Sequence, residues 1–596
     1  MLLIPIAFFA VVEGALRLSG FGASYPLFVP VEGKPDYLVQ NREVARRYFT
    51  NVRNVPSSLA DFFRAEKDAS TFRIFVQGGS SGAGFPFYYG GSFSRMLEQR
   101  LMQTFPDRHI EVINTSMAAV NSYTLLDFVD EILEHAPDAV LIYAGHNEYY
   151  GALGVGSSES LGSQTWLIRT YLELADLRLV QALRRLMTWT AGLAGGRAEG
   201  EAPSATLMSR MVGDQSIPYG SADFERGLRQ FRSNLSRLLA AYAARGVPVF
   251  IGTLASNERD HPPFVAGEGS EADVLFKKAR MLEEEGRFDE ARQAYLAAKD
   301  RDELRFRASE EMNAIIRELA SRYGAVVVET QDALAARSDH GIIGSTVMTE
   351  HLHPNVEGYF VIADAFYEAL RSAGLIGSWD GYVPRELARR EVLLTEVDSL
   401  VGIFRVRQLM SAWPFEPPGV TKPWMDSVDT SDPIARIALD LFNGEIRWTD
   451  ANDALRRHYE QEGDFHLALK AALAMVQELP FTPEPYLAAG NVLMHKGRAD
   501  EALTYFDAAN HEQETALGHR MIGSILLHQG RRRQALEHLE RSVALDPADR
   551  TALYNLGGAY ALEGEFDDAR RVVTRLLELE PNHQAGRRLL ASLPPG

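Results

Sequence analysis

The residues best suited to chemistry sit on a glycine-rich turn. Gly78-Gly79-Ser80-Ser81-Gly82-Ala83-Gly84 follows the apolar run Thr71–Gln77. A serine delivered by a buried strand onto such a turn can stand exposed as a nucleophile, with backbone N–H groups nearby for a developing oxyanion. The same turn could bind a phosphate or simply reverse the chain. Polar residues close two further apolar runs, at Asn114-Thr115-Ser116 and at Gly145-His146-Asn147-Glu148. A last segment, Glu350-His351-Leu352-His353-Pro354-Asn355-Val356-Glu357-Gly358, sets a carboxyl group beside two imidazoles. The chain has no cysteine, which excludes disulfides, thiolate zinc sites and a cysteine nucleophile. Asp plus Glu number 80 against 61 Lys plus Arg, a formal charge of −19. Such a chain repels phosphate backbones, and no nucleic-acid partner is expected.

The elements that must position these groups alternate. Strands are expected over 71–77, 111–114, 139–144, 247–253 and 325–329, with helical spacing over 91–104 and 122–135. Such alternation implies βαβ units and a parallel sheet, whose active groups sit just past the carboxyl ends of the strands. Two segments interrupt the pattern. One holds a helical stretch, Trp166 to Trp189, in which Leu, Tyr and Trp alternate with arginines, followed by a low-complexity link from Ala191 to Ala205. It could be a lid or lie on a membrane surface, although a helix packed on the core is the favoured reading. The other, Glu271 to Asp302, reads as a helical hairpin turning at Gly286.

From residue 451 the sequence repeats. Gly463, Gly497, Gly530 and Gly564 are spaced 34, 33 and 34 apart, and Ala468, Ala502, Ala535 and Ala569 each follow five residues later. The pattern resembles tetratricopeptide repeats. The glycine turns the chain between two helices, the alanine lets them approach, and each pair covers the apolar face of the next. Gly286 and Ala291 share this spacing, so the inserted hairpin looks like a lone repeat.

The four polar segments, in their order, resemble the block pattern of SGNH (GDSL-like) hydrolases over residues 71 to 375. The resemblance implies a flavodoxin-like three-layer α/β/α domain with a parallel sheet, followed by an all-α repeat solenoid. It implies Ser80 as nucleophile, His353 as general base and Glu350 as the acid that orients the imidazole. It implies an oxyanion hole formed by the Asn147 side chain and the N–H groups of Ser80 and Ser116. Three positions depart from the family: Gly79 and Ser116 replace its Asp and Gly, and Glu350 replaces its Asp. No metal or cofactor is expected.

Other residues carry weaker expectations. Gly79, His146 and Asn257 are candidates to lie near substrate, with Asp260 and His261 shaping the pocket. Ser81 is a second possible nucleophile, and His351 a competitor to His353. Asp339, His340 and His351 lack metal-ligand spacing. Tyr88, Tyr89, Tyr149 and Tyr150 could hold an acyl chain or a sugar, with aromatic packing the safer reading. The expected organisation is an N-terminal membrane anchor or signal segment over 1–20, a linker over 21–70 and the hydrolase domain over 71–375. That domain carries the helical insertion 151–232 and the hairpin 271–302; a helical connector spans 376–450 and repeats span 451–594. The whole suggests a membrane-anchored, extracytoplasmic serine esterase. It would act on an acyl ester, such as an envelope lipid or acylated glycan, and bind a protein partner through its repeats. The alternatives are an inactive binding scaffold and an envelope O-acyltransferase.

Overall fold

A computed structural model describes residues 3–49, 56, 60–157, 165–193, 208, 212, 216–265, 267 and 269–594. The chain divides into two compact units, Met1–Leu394 with Asp398–Asp429 and Thr395–Val397 with Thr430–Gly596. The first unit opens with a helix, Leu3–Leu18, of 16 residues. At a rise of about 1.5 Å per residue this is shorter than a bilayer core of about 30 Å. None of the described helices is long and apolar enough to cross a membrane, so the expected transmembrane anchor finds no support. Near the middle of this helix, the Glu13 carboxylate accepts the N–H groups of Arg178 and Leu179 at 3.0 and 2.8 Å. It thereby caps a later helix, Arg178–Leu193.

The stretch 21–70, expected as a linker, instead builds an antiparallel sheet from β1 (Phe28–Val31), β2 (Lys34–Gln40) and β3 (Phe62–Arg64). Pro30 lies in β1, which is an edge strand and tolerates a missing donor. Leu27, Phe28, Tyr48 and Phe63 from this stretch are buried in the main core. That core surrounds five parallel strands: β4 (Thr71–Gly78), β5 (His109–Asn114), β6 (Ala139–Tyr143), β7 (Val249–Gly252) and β8 (Val326–Val328). Their order is β5-β4-β6-β7-β8. β4 is buried at every position, as a strand covered on both faces must be. Helices Phe93–Thr104 and Val356–Ser372 pack together, and Ala222–Ala244 packs with Glu310–Tyr323 and Ser122–Asp127. The domain is a flavodoxin-like α/β/α layering.

The insertion is not one helix but two, Thr165–Leu174 and Arg178–Leu193; the expected link from residue 194 to Ala205 lies outside the described residues. Helices Glu271–Glu284 and Phe288–Arg301 form the hairpin, with Gly286 at φ +75° and Ala291 fully buried. The stretch 376–450 is no mere connector, because Asp398–Asp429 belongs to the first unit. The second unit is all helical. Its helix pairs begin with Trp448–Glu462 and Phe465–Glu478 and end with Gln584–Ser592. Gly463, Gly497, Gly530 and Gly564 all take φ between +71° and +84°, where an L side chain is strained. Ala468, Ala502, Ala535 and Ala569 are each 0% exposed. The unit is a tetratricopeptide-repeat solenoid.

Candidate active site

β4 ends at Gly78, and Ser80 stands on the turn that follows. Gly78 has no room for a side chain: a Cβ would lie 2.6 Å from the Tyr143 carbonyl oxygen and 2.9 Å from Gly82 Cα. Asn114, at the end of β5, holds the far side of the turn. Its Nδ2 donates to the Gly82 carbonyl at 2.9 Å and to Ser94 Oγ at 3.0 Å. The turn closes on both neighbouring strands, and Ser80 Oγ comes to 2.7 Å from His353 Nε2.

His353 is delivered by the loop before the helix Val356–Ser372. Thr349 N–H donates to the His353 carbonyl at 2.8 Å. Asn355 caps the helix by accepting the Gly358 N–H at 3.0 Å. A Cβ on Gly358 would clash with the Val347 carbonyl oxygen, which accounts for the glycine. Glu350, 3% exposed, meets both imidazoles: Oε1 accepts from His353 Nδ1 and Oε2 from His351 Nδ1. The carboxylate also accepts the backbone N–H groups of His351 and His353 at 2.6 and 2.9 Å. A carboxylate on Nδ1 leaves His353 Nε2 as an acceptor for the Ser80 hydroxyl. Burial pushes the His353 pKa well below the usual histidine range and keeps the resting imidazole neutral. The adjacent carboxylate favours the imidazolium once a proton arrives.

Ser80 and His353 face an apolar cavity of about 110 Å³, lined also by Phe85, Ala118, Ala119, Asn147, Met208, Phe306, His351, Leu352 and Leu409. The Asn147 amide lies beside Gly79: a Cβ on that residue would stand 3.0 Å from Asn147 Nδ2. Gly79 therefore serves the site by leaving space.

Residues 76–360 match the GDSL-like Lipase/Acylhydrolase family. They form a GDSL-like hydrolase domain. Residues 454–515 and 526–593 match tetratricopeptide repeats. No curated protein matches the chain. Among solved structures, it is similar to MamA 41-end from Desulfovibrio magneticus RS-1, at 24% identity over 24% of this chain and 81% of that one, with a TM-score of 0.23. It is also similar to YrrB, described as a TPR protein with an unusual peptide-binding site, at 21% identity over 26% and 79%, TM-score 0.24. A third is TTC0263, a thermophilic TPR protein of Thermus thermophilus, at 21% identity over 27% and 89%, TM-score 0.23.

Several residues of the GDSL-like domain lie elsewhere than expected. Ser116 N–H already donates to Asn114 Oδ1 at 3.0 Å, so it is not a free oxyanion donor. Ser116 Oγ instead packs against the glycine turn, 3.0 Å from where a Gly78 Cβ would stand. Ala119 lines the cavity at φ +63°, and its N–H has no hydrogen-bond partner among the described residues. Residue type gives no sign of it, because an alanine held in the left-handed region is set there by its surroundings. His146 Nδ1 accepts the Ala308 N–H at 3.2 Å, and burial lowers its pKa to about 3. Asn257 donates its N–H to the His351 carbonyl at 2.9 Å and accepts the Asp260 N–H at 2.8 Å, which makes it a loop former. Asp260 in turn accepts the Ser345 N–H at 2.7 Å. The Ser81 side chain is buried outside the cavity lining. His340 stacks on Phe288 and Asp339 meets Arg259, apart from His351. Tyr149 donates to the Phe224 carbonyl at 3.1 Å, and Tyr88 lies under the Arg405 guanidinium. Among the described residues, Glu350, His351 and His353 form the one metal-capable cluster, with ligand atoms within 4.8 Å of one another. Those groups are already joined by hydrogen bonds, so a cation there would displace the protons that orient the imidazoles.

Proposed function

We propose that the chain is a serine esterase that cleaves an acyl ester through a Ser80 acyl-enzyme. The observation that carries this reading is the 2.7 Å contact between Ser80 Oγ and His353 Nε2 at the wall of an apolar cavity. As Oγ attacks the ester carbonyl, His353 Nε2 takes its proton and returns it to the leaving alkoxide. Glu350 stabilises the imidazolium formed between these events. The Asn147 amide and the N–H groups of Ser80 and Ala119 are the donors for the oxyanion. Water then attacks the acyl-enzyme, with His353 again taking the proton, and the free acid leaves. The cavity is apolar, walled by Phe85, Phe306 and Leu409, and suits the acyl part of an ester. The tetratricopeptide repeats supply the surface for a protein partner. We place the enzyme outside the cytoplasm and against a membrane, acting on an acylated envelope component. The membrane contact is supported by Phe8, Phe9 and Val11, which are 62%, 51% and 71% exposed on the N-terminal helix.

The test is covalent. A fluorophosphonate probe should label the wild type and neither Ser80→Ala nor His353→Ala. Turnover of aryl esters from acetyl to octanoyl should then be lost in the same two variants. Labelling that survives Ser80→Ala, or no labelling of folded wild type, overturns the reading. Recovery in the soluble rather than the membrane fraction overturns the placement alone.

A further inference from the structure

Glu350 carries two imidazoles, and the reaction proposed above uses one of them. The other, His351, is 1% exposed. Its ring is boxed by Phe264, Phe306 and Phe415, with centroids 5.2, 6.0 and 5.4 Å away, and by His261 at 5.8 Å. These rings wall it where it does not border the cavity, and its Nδ1 has Glu350 Oε2 to meet. The carboxylate oxygen accepts a hydrogen bond from that N–H, while Nε2 is buried without a partner among the described residues. This is an imidazole held in one tautomer with a single polar task. Glu350 is thus clamped at both oxygens, by His351 on one and by His353 on the other.

We propose that His351 is a positioning residue: its Nδ1–H fixes the plane of the Glu350 carboxylate and neutralises part of its charge, and so sets how strongly His353 attracts the Ser80 proton. The inference rests on the Ser80 reading. Without His351, Oε2 loses its side-chain donor in a buried place, and the whole carboxylate charge falls on His353 or is quenched by a proton on Glu350. Either change demands a higher pH before His353 can act as a base. The charged and titratable groups facing His351 are Glu350, His353, His261, His146 and Arg307, and substitution of His351 leaves all of them in place.

The experiment is the pH profile of kcat/KM for an aryl acetate on the full chain, as wild type, His351→Phe and His351→Asn. The phenyl ring fills the box and donates nothing; the Asn amide sets an N–H close to the place of Nδ1. The acidic limb should move up by about one pH unit in His351→Phe, as loss of a hydrogen bond to a charged group requires, and return in His351→Asn. An unmoved limb in His351→Phe, or an Asn variant that behaves like Phe, overturns the proposal. Should His351→Phe not fold, proton NMR of the wild type decides. Two strongly deshielded imidazole N–H resonances support the clamp, and one alone refutes it. Failure of the wild type to turn over any ester defeats the Ser80 reading and this inference with it; turnover with an unmoved limb defeats this inference only.

Discussion

Asn147→Ala should lower kcat for a short ester about 100- to 1,000-fold, the loss of one oxyanion donor at about 2.7–4 kcal/mol. The magnitude follows from where the amide lies. Asn147 lines the cavity beside Ser80, and its side chain makes no hydrogen bond to protein among the described residues. Its N–H groups are kept for what enters the cavity, so folding loses nothing when they go, and Tm should hold. Gly79 supplies an internal control. A Cβ at Gly79 stands 3.0 Å from Asn147 Nδ2, closer than side chains ordinarily tolerate, so Gly79→Ala pushes the amide off by a few tenths of an ångström. A displaced donor keeps part of its effect, and Gly79→Ala should cost about tenfold in kcat. Because the second change acts through the first residue, the double variant should be no slower than Asn147→Ala alone. The assay is steady-state hydrolysis of an aryl acetate by all four forms, with KM near constant. A loss under tenfold for Asn147→Ala, or costs that add in the double variant, would refute the reasoning.

Three further outcomes are expected. Burial raises the pKa of Glu148 and of Glu258 to about 7, above an ordinary 4.5. An acid raised in the folded state contributes stability in its protonated form. That contribution is full below pH 4.5 and lost as pH rises through 7, by about 3 kcal/mol for each group. Urea unfolding across that range should show the fall, and Glu148→Gln should flatten its share. Arg73 and Glu111 form a buried pair at 2.6 Å, with side chains 1% and 6% exposed. Arg73→Met should destabilise the first unit by about 3–5 kcal/mol, because the buried Glu111 carboxylate then keeps only the Arg64 N–H and His109 among the described residues, and adding Glu111→Leu should restore part of it, as read by calorimetry. Gly564→Ala should cost the second unit about 1–2 kcal/mol, seen as a lower urea midpoint, because φ +84° strains an L residue although the space is open.

Much of this was legible in the sequence because the determinants are local. β4 announces itself as an unbroken apolar run ended by two glycines, and the solenoid by glycines that all need positive φ. What escaped depends on distant neighbours. The sheet formed by β1, β2 and β3 was hidden by Pro26, Pro30, Pro35 and Pro56, which read as linker signals although Pro30 lies on an edge strand and Pro35 next to the start of β2. Leu409 and Phe415 lie beyond the last recognisable block, yet one lines the cavity and the other packs on His351. The fate of the Ser116 N–H could have been read: an Asn side chain commonly captures the N–H two residues on, and Asn114 does so here. The left-handed Ala119 could not.

The distance along the chain between Ser80 and His353 has a consequence for biosynthesis. The two residues that meet at 2.7 Å are 273 positions apart, and Leu409 comes later still. At about 5–20 residues per second on the ribosome, the serine emerges about 14–55 seconds before its base. Through that interval Ser80 is an ordinary alcohol. Reactivity therefore begins only when the nascent chain is more than half made and has closed its sheet, and a product ending before His353 lacks the base that would activate Ser80.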